Sequence, residues 1–496
     1  MNRALLRISL ACLAMFVLLL LNVNYLQAFR STKLATETGN VRIFNQQFTY
    51  QRGSIVAAGD SGDVTIAQSK LIKGTNTYQR YYPDGKVYAP VTGYDTIYST
   101  SGIEHTEDSL LAGTDPRLTV HNFTALLTGK QKQGATVELT ISPVAQQAAY
   151  SALASSGHPA ALVAISPSTG AILALASNPT FDPNQLATLD GNKLNQADQQ
   201  LLTDKSQPLL NRAISETYPP GSSFKIVTSS AAFSTGLVKD TNALVQAPSP
   251  LHLPNGHQLV NDGGEICGNG NPPIIQAFWM SCNSAFGNLG MSLGAPTLRQ
   301  YASQFAMNKP LSIPLPVVPS VMPPVPQNDK SLTAFSAIGQ YNDAVTPLQE
   351  AMFSAAIANH GTLMYPYLVQ RVVGTGLSVI TQAQASVLSQ AVTPQVAGYV
   401  QDMMNQVTQN PGGTANATAG PQATGGITID GKTGTAQNGI NNGNLDDAVF
   451  TCFVPGIGGQ PSPIAVGVIV QGGGFGADAA APIAVKVIQA YLKAHS

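Results

Sequence analysis

Ser222 and Lys225, a hydroxyl and an amine three residues apart, stand where an activated nucleophile could be built. Tyr218-Pro219-Pro220-Gly221 interrupts the structure before them, and the largely apolar run from Ile226 to Phe233, ending near Gly236, reads as a buried helix. Ser222 therefore falls at a helix N-terminus, and residues three apart share a helix face one turn apart. An amine so placed can take the proton of the hydroxyl, which is what makes a serine a nucleophile. The free N–H groups of a first helical turn also favour negative charge developing there. An isolated Ser-x-x-Lys is equally well a capping serine followed by a solvated lysine, so the pair alone decides nothing.

Two further motifs decide it. Ser281-Cys282-Asn283 closes another apolar segment, Ile274 to Met280, and Lys432-Thr433-Gly434-Thr435 follows the alternating stretch Ile427 to Gly431. Ser-x-x-Lys, Ser-x-Asn and Lys-Thr-Gly are the set shared by penicillin-binding proteins and class A β-lactamases, and here they stand in the family order. The surrounding text agrees. Asn211-Arg212-Ala213 precedes the serine, Ala337-Ile338-Gly339-Gln340 leads to Thr346-Pro347-Leu348-Gln349, and Ala358-Asn359-His360-Gly361 precedes Pro366-Tyr367-Leu368-Val369. Arg52-Gly53-Ser54-Ile55 is similar to the motif near the start of class B ectodomains. The chain resembles class B penicillin-binding proteins, most closely the short actinobacterial type. The likeness is strongest from about residue 160 onward and weaker through residues 56–130.

The resemblance implies D,D-transpeptidation of peptidoglycan stem peptides and acylation by β-lactam antibiotics. On that reading Ser222 attacks the carbonyl between two terminal D-Ala residues, and Lys225 takes its proton. A lysine does so only with a depressed pKa, from burial or a neighbouring cation such as Lys432. The N–H groups of Ser222 and Thr435 would form the oxyanion hole. Ser281 would relay the proton to the leaving amine, and Asn283 would orient Lys225 and the substrate amide. Thr433 and Thr435 would hold the terminal carboxylate, and Gly434 would let the strand approach the substrate. The bland alternative makes Ser281 and Asn283 a cap pair at a helix end.

Whether an amine or water takes the acyl group separates the transpeptidase from its first alternative, a serine D,D-carboxypeptidase or β-lactam hydrolase. Between Lys225 and Lys432 the only glutamates are Glu265 and Glu350, and neither sits in a Glu-x-x-Leu-Asn context, which disfavours fast deacylation. A second alternative is a non-catalytic cell-wall scaffold or β-lactam sensor, against which the complete motif set argues. One departure concerns the stretch Asp446-Asp447-Ala448-Val449-Phe450. Relatives often carry an aromatic residue just ahead of this phenylalanine, so acceptor and inhibitor preference are open. The resemblance also implies a membrane-embedded SEDS-type glycan polymerase as partner, in division or elongation.

The elements that must position these residues fill a chain of 496 residues, enough for two or three domains. With net charge −1 and no basic patch, nucleic acid is not an expected partner. No Cys/His spacing suggests zinc, and no cofactor or metal is expected. Residues 1–29 read as a cytoplasmic stub and a transmembrane anchor: Arg3 and Arg7 precede the unbroken apolar run Leu10 to Leu21, and the segment from Ala4 to Phe29 could span a bilayer. A cleaved signal peptide is the competitor, but no clear small-x-small site follows. Arg30 and Lys33 flank the other end, so charge asymmetry gives little orientation. The resemblance places everything beyond the anchor outside the cell membrane.

Residues 30–140, rich in Thr, Tyr, Gly and Asp, read as a β-rich spacer or interaction domain, with a strand over Val41 to Phe48. Residues 141–496 read as the catalytic domain. Pro143 to Ser156 and Ala481 to Ala494 are helical. Ala160 to Ala176 is a hairpin turned at Pro167-Ser168-Thr169-Gly170, and Phe450 to Val454 and Ile464 to Gln471 are strands. Leu311 to Gln327 and Asn410 to Gly426 read as loops. Strands early and late with helices between give an α+β fold, one antiparallel sheet flanked by helices. Trp279 reads as core packing and His360 as a turn residue. Cys267 and Cys282 are close enough to pair in an oxidising exterior, with buried free thiols as the alternative.

Overall fold

The computed structural model describes residues 2–30, 48–59, 62–118, 133–326, 329–374, 376, 378–437 and 445–495. Residues 1–51 with 70–79 form one unit, and residues 52–69 with 80–496 the other. In the first unit the helix Asn2–Tyr25 carries an exposed 20-residue apolar stretch, Leu6–Tyr25, of mean hydropathy 2.3. At about 1.5 Å per residue this is long enough to cross a bilayer. Of the strand expected over Val41 to Phe48, residues 41–47 lie outside the described residues, and Phe48 opens a turn.

The larger unit is built on a five-stranded antiparallel sheet. Its order is Asp430–Ala436, Asp447–Phe453, Ala465–Val470, Ala160–Ile165 and Ile172–Asn178. The expected hairpin closes in register, with Ala160 opposite Asn178 and Val163 opposite Leu175. Ala160–Ile165 and Ala465–Val470 are buried at every position. Uninterrupted apolar runs of this kind belong to a sheet covered on both faces. The helix Pro347–Ala358 packs on three of the strands, while Pro143–Ala154 and Ala481–Ala494 pack on each other and on the sheet. Pro143–Ala154 begins at Ser142, whose side chain accepts from the Ala145 N–H, with proline in the first turn.

A second sheet includes, in order, Val379–Gln382, Val369–Val373, Thr136–Leu139, Ile55–Ala57 and Val64–Leu71. Sequence distant from residues 30–140 thus completes their sheet: Val372 pairs with Val137 across 235 positions of sequence. Residues 30–140 also hold helices, Gly85–Thr92 and Gly102–Thr106, so β content does not describe them fully. Arg52 anchors this region. Its Nε lies 2.7 Å from Glu104 Oε2, and Arg80 Nε lies 2.6 Å from Glu104 Oε1. Burial would raise the Glu104 carboxyl, but Arg80 and Arg52 outweigh it and hold it low.

Leu311 to Gln327 carries only two-residue strands among its described residues. Asn410 to Gly426, expected as loop, contains the single-turn helices Asn416–Ala419 and Pro421–Thr424, the second started by its proline. His360 is a left-handed turn residue at φ 53°, and Trp279 packs half-buried against the core.

Candidate active site

Pro219 and Pro220 lead into one 3-10 turn, Gly221–Phe224, which continues as the helix Lys225–Ser234. Gly221 takes φ 54°, a left-handed conformation that disfavours side chains, and its N–H donates to the Gly339 carbonyl at 2.9 Å. The turn puts Ser222 Oγ 2.9 Å from Lys225 Nζ. Ser222 is 8% exposed and Lys225 fully buried.

Lys225 Nζ also lies 2.7 Å from the Ser281 carbonyl, 3.1 Å from Ser281 Oγ and 2.8 Å from Asn283 Oδ1. These partners suit a neutral amine. A neutral amine that donates to the Ser281 carbonyl and Asn283 Oδ1 has Ser222 Oγ and Ser281 Oγ as the two hydroxyls within reach of its lone pair. Burial first, and the Lys432 cation second, push the Lys225 amine well below its ordinary 10.5, with Asp262 opposing. Lys432 Nζ donates to Ser281 Oγ at 3.0 Å and to the Thr433 carbonyl at 2.9 Å. Burial lowers Lys432 to about 7, again against Asp262. Ser281 Oγ therefore bridges the two lysines. Beneath them the Phe286 ring lies 5.5 Å from Lys225 Nζ and the Phe278 ring 5.6 Å from Lys432 Nζ.

The Ser-x-Asn corner is not a cap pair. The helix Asn283–Leu293 starts from Cys282 without a side-chain cap, and Ser281 takes φ 61°, which turns its hydroxyl and carbonyl toward Lys225. Residues 260–267 hold the corner in place. Asn283 Nδ2 donates to the Val260 carbonyl and to Asp262 Oδ1, both at 3.3 Å, and Asn261 Oδ1 accepts from the Ser284 N–H at 2.9 Å. Cys267 and Cys282 are joined as a disulfide.

The edge strand Asp430–Ala436 closes the site on its other side, with Gly434 opposite Val449 and Thr435 opposite Ala448. Gly434 has a reason within the protein itself. A Cβ there would lie 2.7 Å from the Pro220 carbonyl oxygen and 2.9 Å from Val449 Cβ. The glycine admits the nucleophile's own turn. Thr433 Oγ1 pairs with Thr414 Oγ1 at 2.8 Å.

Two recesses meet at Ser222, Asp262 and Thr435. One, of about 560 Å³, extends past Asn283, Tyr341 and Asp446. The other, of about 330 Å³, extends past Ser281, Thr433 and the exposed Phe475. Sequence reasoning missed Asp262, Thr414, Tyr341 and Phe475; only the neighbouring Cys267 hinted at the loop that carries Asp262. Among the described residues no group of His, Cys, Asp and Glu could hold a metal ion.

Residues 160–489 match the penicillin binding protein transpeptidase domain, and residues 52–137 match the penicillin binding protein A dimerisation domain. The chain belongs to the penicillin-binding protein transpeptidases. It is 39% identical to the peptidoglycan D,D-transpeptidase PbpA of Mycolicibacterium smegmatis over 99% of both chains. Among solved structures, this transpeptidase resembles penicillin-binding protein A from M. tuberculosis in its imipenem acyl-enzyme complex. The TM-score is 0.82 at 38% identity, over 90% of this chain and 99% of that one. The penicillin G acyl-enzyme complex of the same protein matches with TM-score 0.81 at 37% identity, over 89% of this chain and 100% of that one.

Proposed function

We propose that this transpeptidase cross-links peptidoglycan stem peptides through an acyl-enzyme on Ser222, and that β-lactams acylate the same serine. The observation that carries the reading is the 2.9 Å approach of Ser222 Oγ to a fully buried lysine amine held low by burial and a second lysine. Ser222 passes its proton to Lys225 as it attacks the D-Ala-D-Ala carbonyl. The developing oxyanion is held by the N–H groups of Ser222 and Thr435. Ser281 Oγ, within 3.1 Å of Lys225 Nζ and 3.0 Å of Lys432 Nζ, carries the proton on to the leaving D-Ala amine. Asn283 fixes Lys225 and the substrate amide, and Thr433 and Thr435 take the terminal carboxylate. The incoming amine of a second stem peptide then reverses the steps and forms the cross-link.

Transfer to an amine is favoured over hydrolysis because neither glutamate between Lys225 and Lys432, Glu265 or Glu350, sits in a Glu-x-x-Leu-Asn context. Asp262 is engaged by Asn283, and Glu350 is fully buried with its carboxyl bonded to Ser223. We assign residues 1–29 to a cytoplasmic stub and a single-pass anchor, 30–140 to a spacer completed by strands from 369–382, and 141–496 to the transpeptidase domain outside the membrane. A SEDS-type polymerase embedded in the membrane supplies the glycan strands, because no glycosyltransferase motif is present in the sequence. The test is a reconstitution of the full chain with lipid-linked disaccharide-pentapeptide and such a polymerase. Cross-linked muropeptides that vanish with Ser222→Ala are expected. Release of free D-Ala without cross-links would establish a carboxypeptidase instead.

A further inference from the structure

Directly behind the nucleophile lies a carboxyl group that the mechanism above does not use. Glu350, on the helix Pro347–Ala358, is fully buried, and its Oε1 lies 2.7 Å from Ser223 Oγ. Ser223 Oγ also lies 2.9 Å from the Pro220 carbonyl. That carbonyl is the one seated against Gly434, where even a Cβ would come within 2.7 Å of it. The hydroxyl of Ser223 carries one hydrogen and has two oxygens to satisfy. An ionised Glu350 would draw that hydrogen to itself and leave the Pro220 carbonyl without it. A neutral Glu350 supplies a second hydrogen, and the arrangement closes as a chain. Glu350 Oε1–H donates to Ser223 Oγ, and Ser223 Oγ–H donates to the Pro220 carbonyl.

We propose, on the reading of Ser222 given above, that Glu350 is a positioning residue. As a neutral acid it fixes, through Ser223, the Pro220–Gly221 turn against Gly434, and with it the spacing between the Ser222 and Thr435 N–H groups. Burial favours the neutral form. It raises the Glu350 carboxyl to about 8 against the opposing pull of the Ser223 bond, and Oε2 has no hydrogen-bond partner among the described residues. The elements packed on this helix bring Arg212, Tyr399, Asp402, Asp447 and Cys452 as titratable groups. None of them figures in the Glu350 shift, which burial dominates and only Ser223 opposes. The residue does not touch the substrate, and its effect passes through the turn.

The test is the second-order rate of benzylpenicillin acylation of the full chain in detergent, from pH 6 to 9.5, for the parent, Glu350→Gln, Glu350→Ala and Ser223→Ala. Glu350→Ala and Ser223→Ala should each slow acylation about tenfold or more, the scale of a lost buried hydrogen bond. Glu350→Gln keeps a neutral donor and should rescue most of that loss, and it should retain its rate above pH 8 where the parent declines. An infrared difference spectrum, parent minus Glu350→Gln, should show a protonated carboxylic acid at pH 7. A folded Glu350→Ala that acylates at the parental rate would overturn the proposal, as would a Glu350→Gln as slow as Glu350→Ala. If Glu350→Ala fails to fold, the infrared band and the Glu350→Gln pH profile still decide: a carboxylate band at pH 7, or a profile identical to the parent, would refute it.

Discussion

Ser222 Oγ and Lys225 Nζ stand 2.9 Å apart across one turn, and the lysine is fully buried. Its other partners are the Ser281 carbonyl, Ser281 Oγ and Asn283 Oδ1, and a neutral amine donating to the carbonyl and to Asn283 can turn its lone pair to the Ser222 hydroxyl. Lys225→Ala should therefore slow benzylpenicillin acylation by a factor on the order of 10²–10⁴, the range for a lost general base. Its thermal midpoint should remain measurable as a cooperative transition, shifted by the opposing effects of an emptied buried site and the removal of a desolvated amine. Stopped-flow acylation and a melt of the same preparation check both.

Lys432 depresses Lys225 by like-charge proximity, second only to burial. Lys432→Gln removes that cation, so the Lys225 amine should rise and the acid limb of the pH–acylation profile should move to higher pH. A linked stability effect has a definite sign. Lys432 titrates at about 7 in the fold and at 10.5 unperturbed, so between these values the unfolded chain binds more protons than the folded one. The fold therefore gains stability as pH rises through that window, and Lys432→Gln should flatten the gain. Acylation profiles and urea melts at pH 7 and 10 measure the two effects.

Much of this was legible in the sequence because it is local. Ser222 and Lys225 are one turn apart, the hairpin at Pro167–Gly170 is a short-range signal, and Ala481–Ala494 reads directly from its pattern. The roles of Gly434 and Glu350 were not legible. Gly434 is required by the Pro220 carbonyl more than 200 residues earlier, and Glu350 meets Ser223 across 127 positions. Periodicity shows that a position is buried, not which group it will face. The same limit hid the pairing of Val369–Val373 with Thr136–Leu139 and the clamp of Asn283 by Asp262.

Gly434→Ala puts a methyl 2.7 Å from the Pro220 oxygen and 2.9 Å from Val449 Cβ, closer than either can tolerate. The strand and the nucleophile turn must part, which separates the N–H groups of Ser222 and Thr435. Acylation should fall by about 10²-fold, the scale of losing one oxyanion donor, while the variant still folds. The acylation rate beside a far-ultraviolet circular dichroism spectrum checks this.

The Cys267–Cys282 bond closes a loop of 15 residues whose far end is the residue between Ser281 and Asn283. Replacing both cysteines with alanine should lower stability by roughly 3 kcal/mol in the chain-entropy view. It should also slow acylation, because residues 260–267 then hold Asn283 and Ser284 only through hydrogen bonds. Urea melts of the oxidised parent, the reduced parent and the double variant separate the loss of the crosslink from the change of side chain.

The central claim is tested most directly by the intact mass of the full chain, in detergent, over hours after benzylpenicillin is added, with Ser222→Ala in parallel. A single adduct of the drug's mass should form on the parent, map to the peptide holding Ser222, and persist, with none on the variant. An adduct that vanishes while the drug is hydrolysed would make the protein a β-lactam hydrolase. An adduct of equal yield on Ser222→Ala, or none on the folded parent, would contradict Ser222 as the nucleophile.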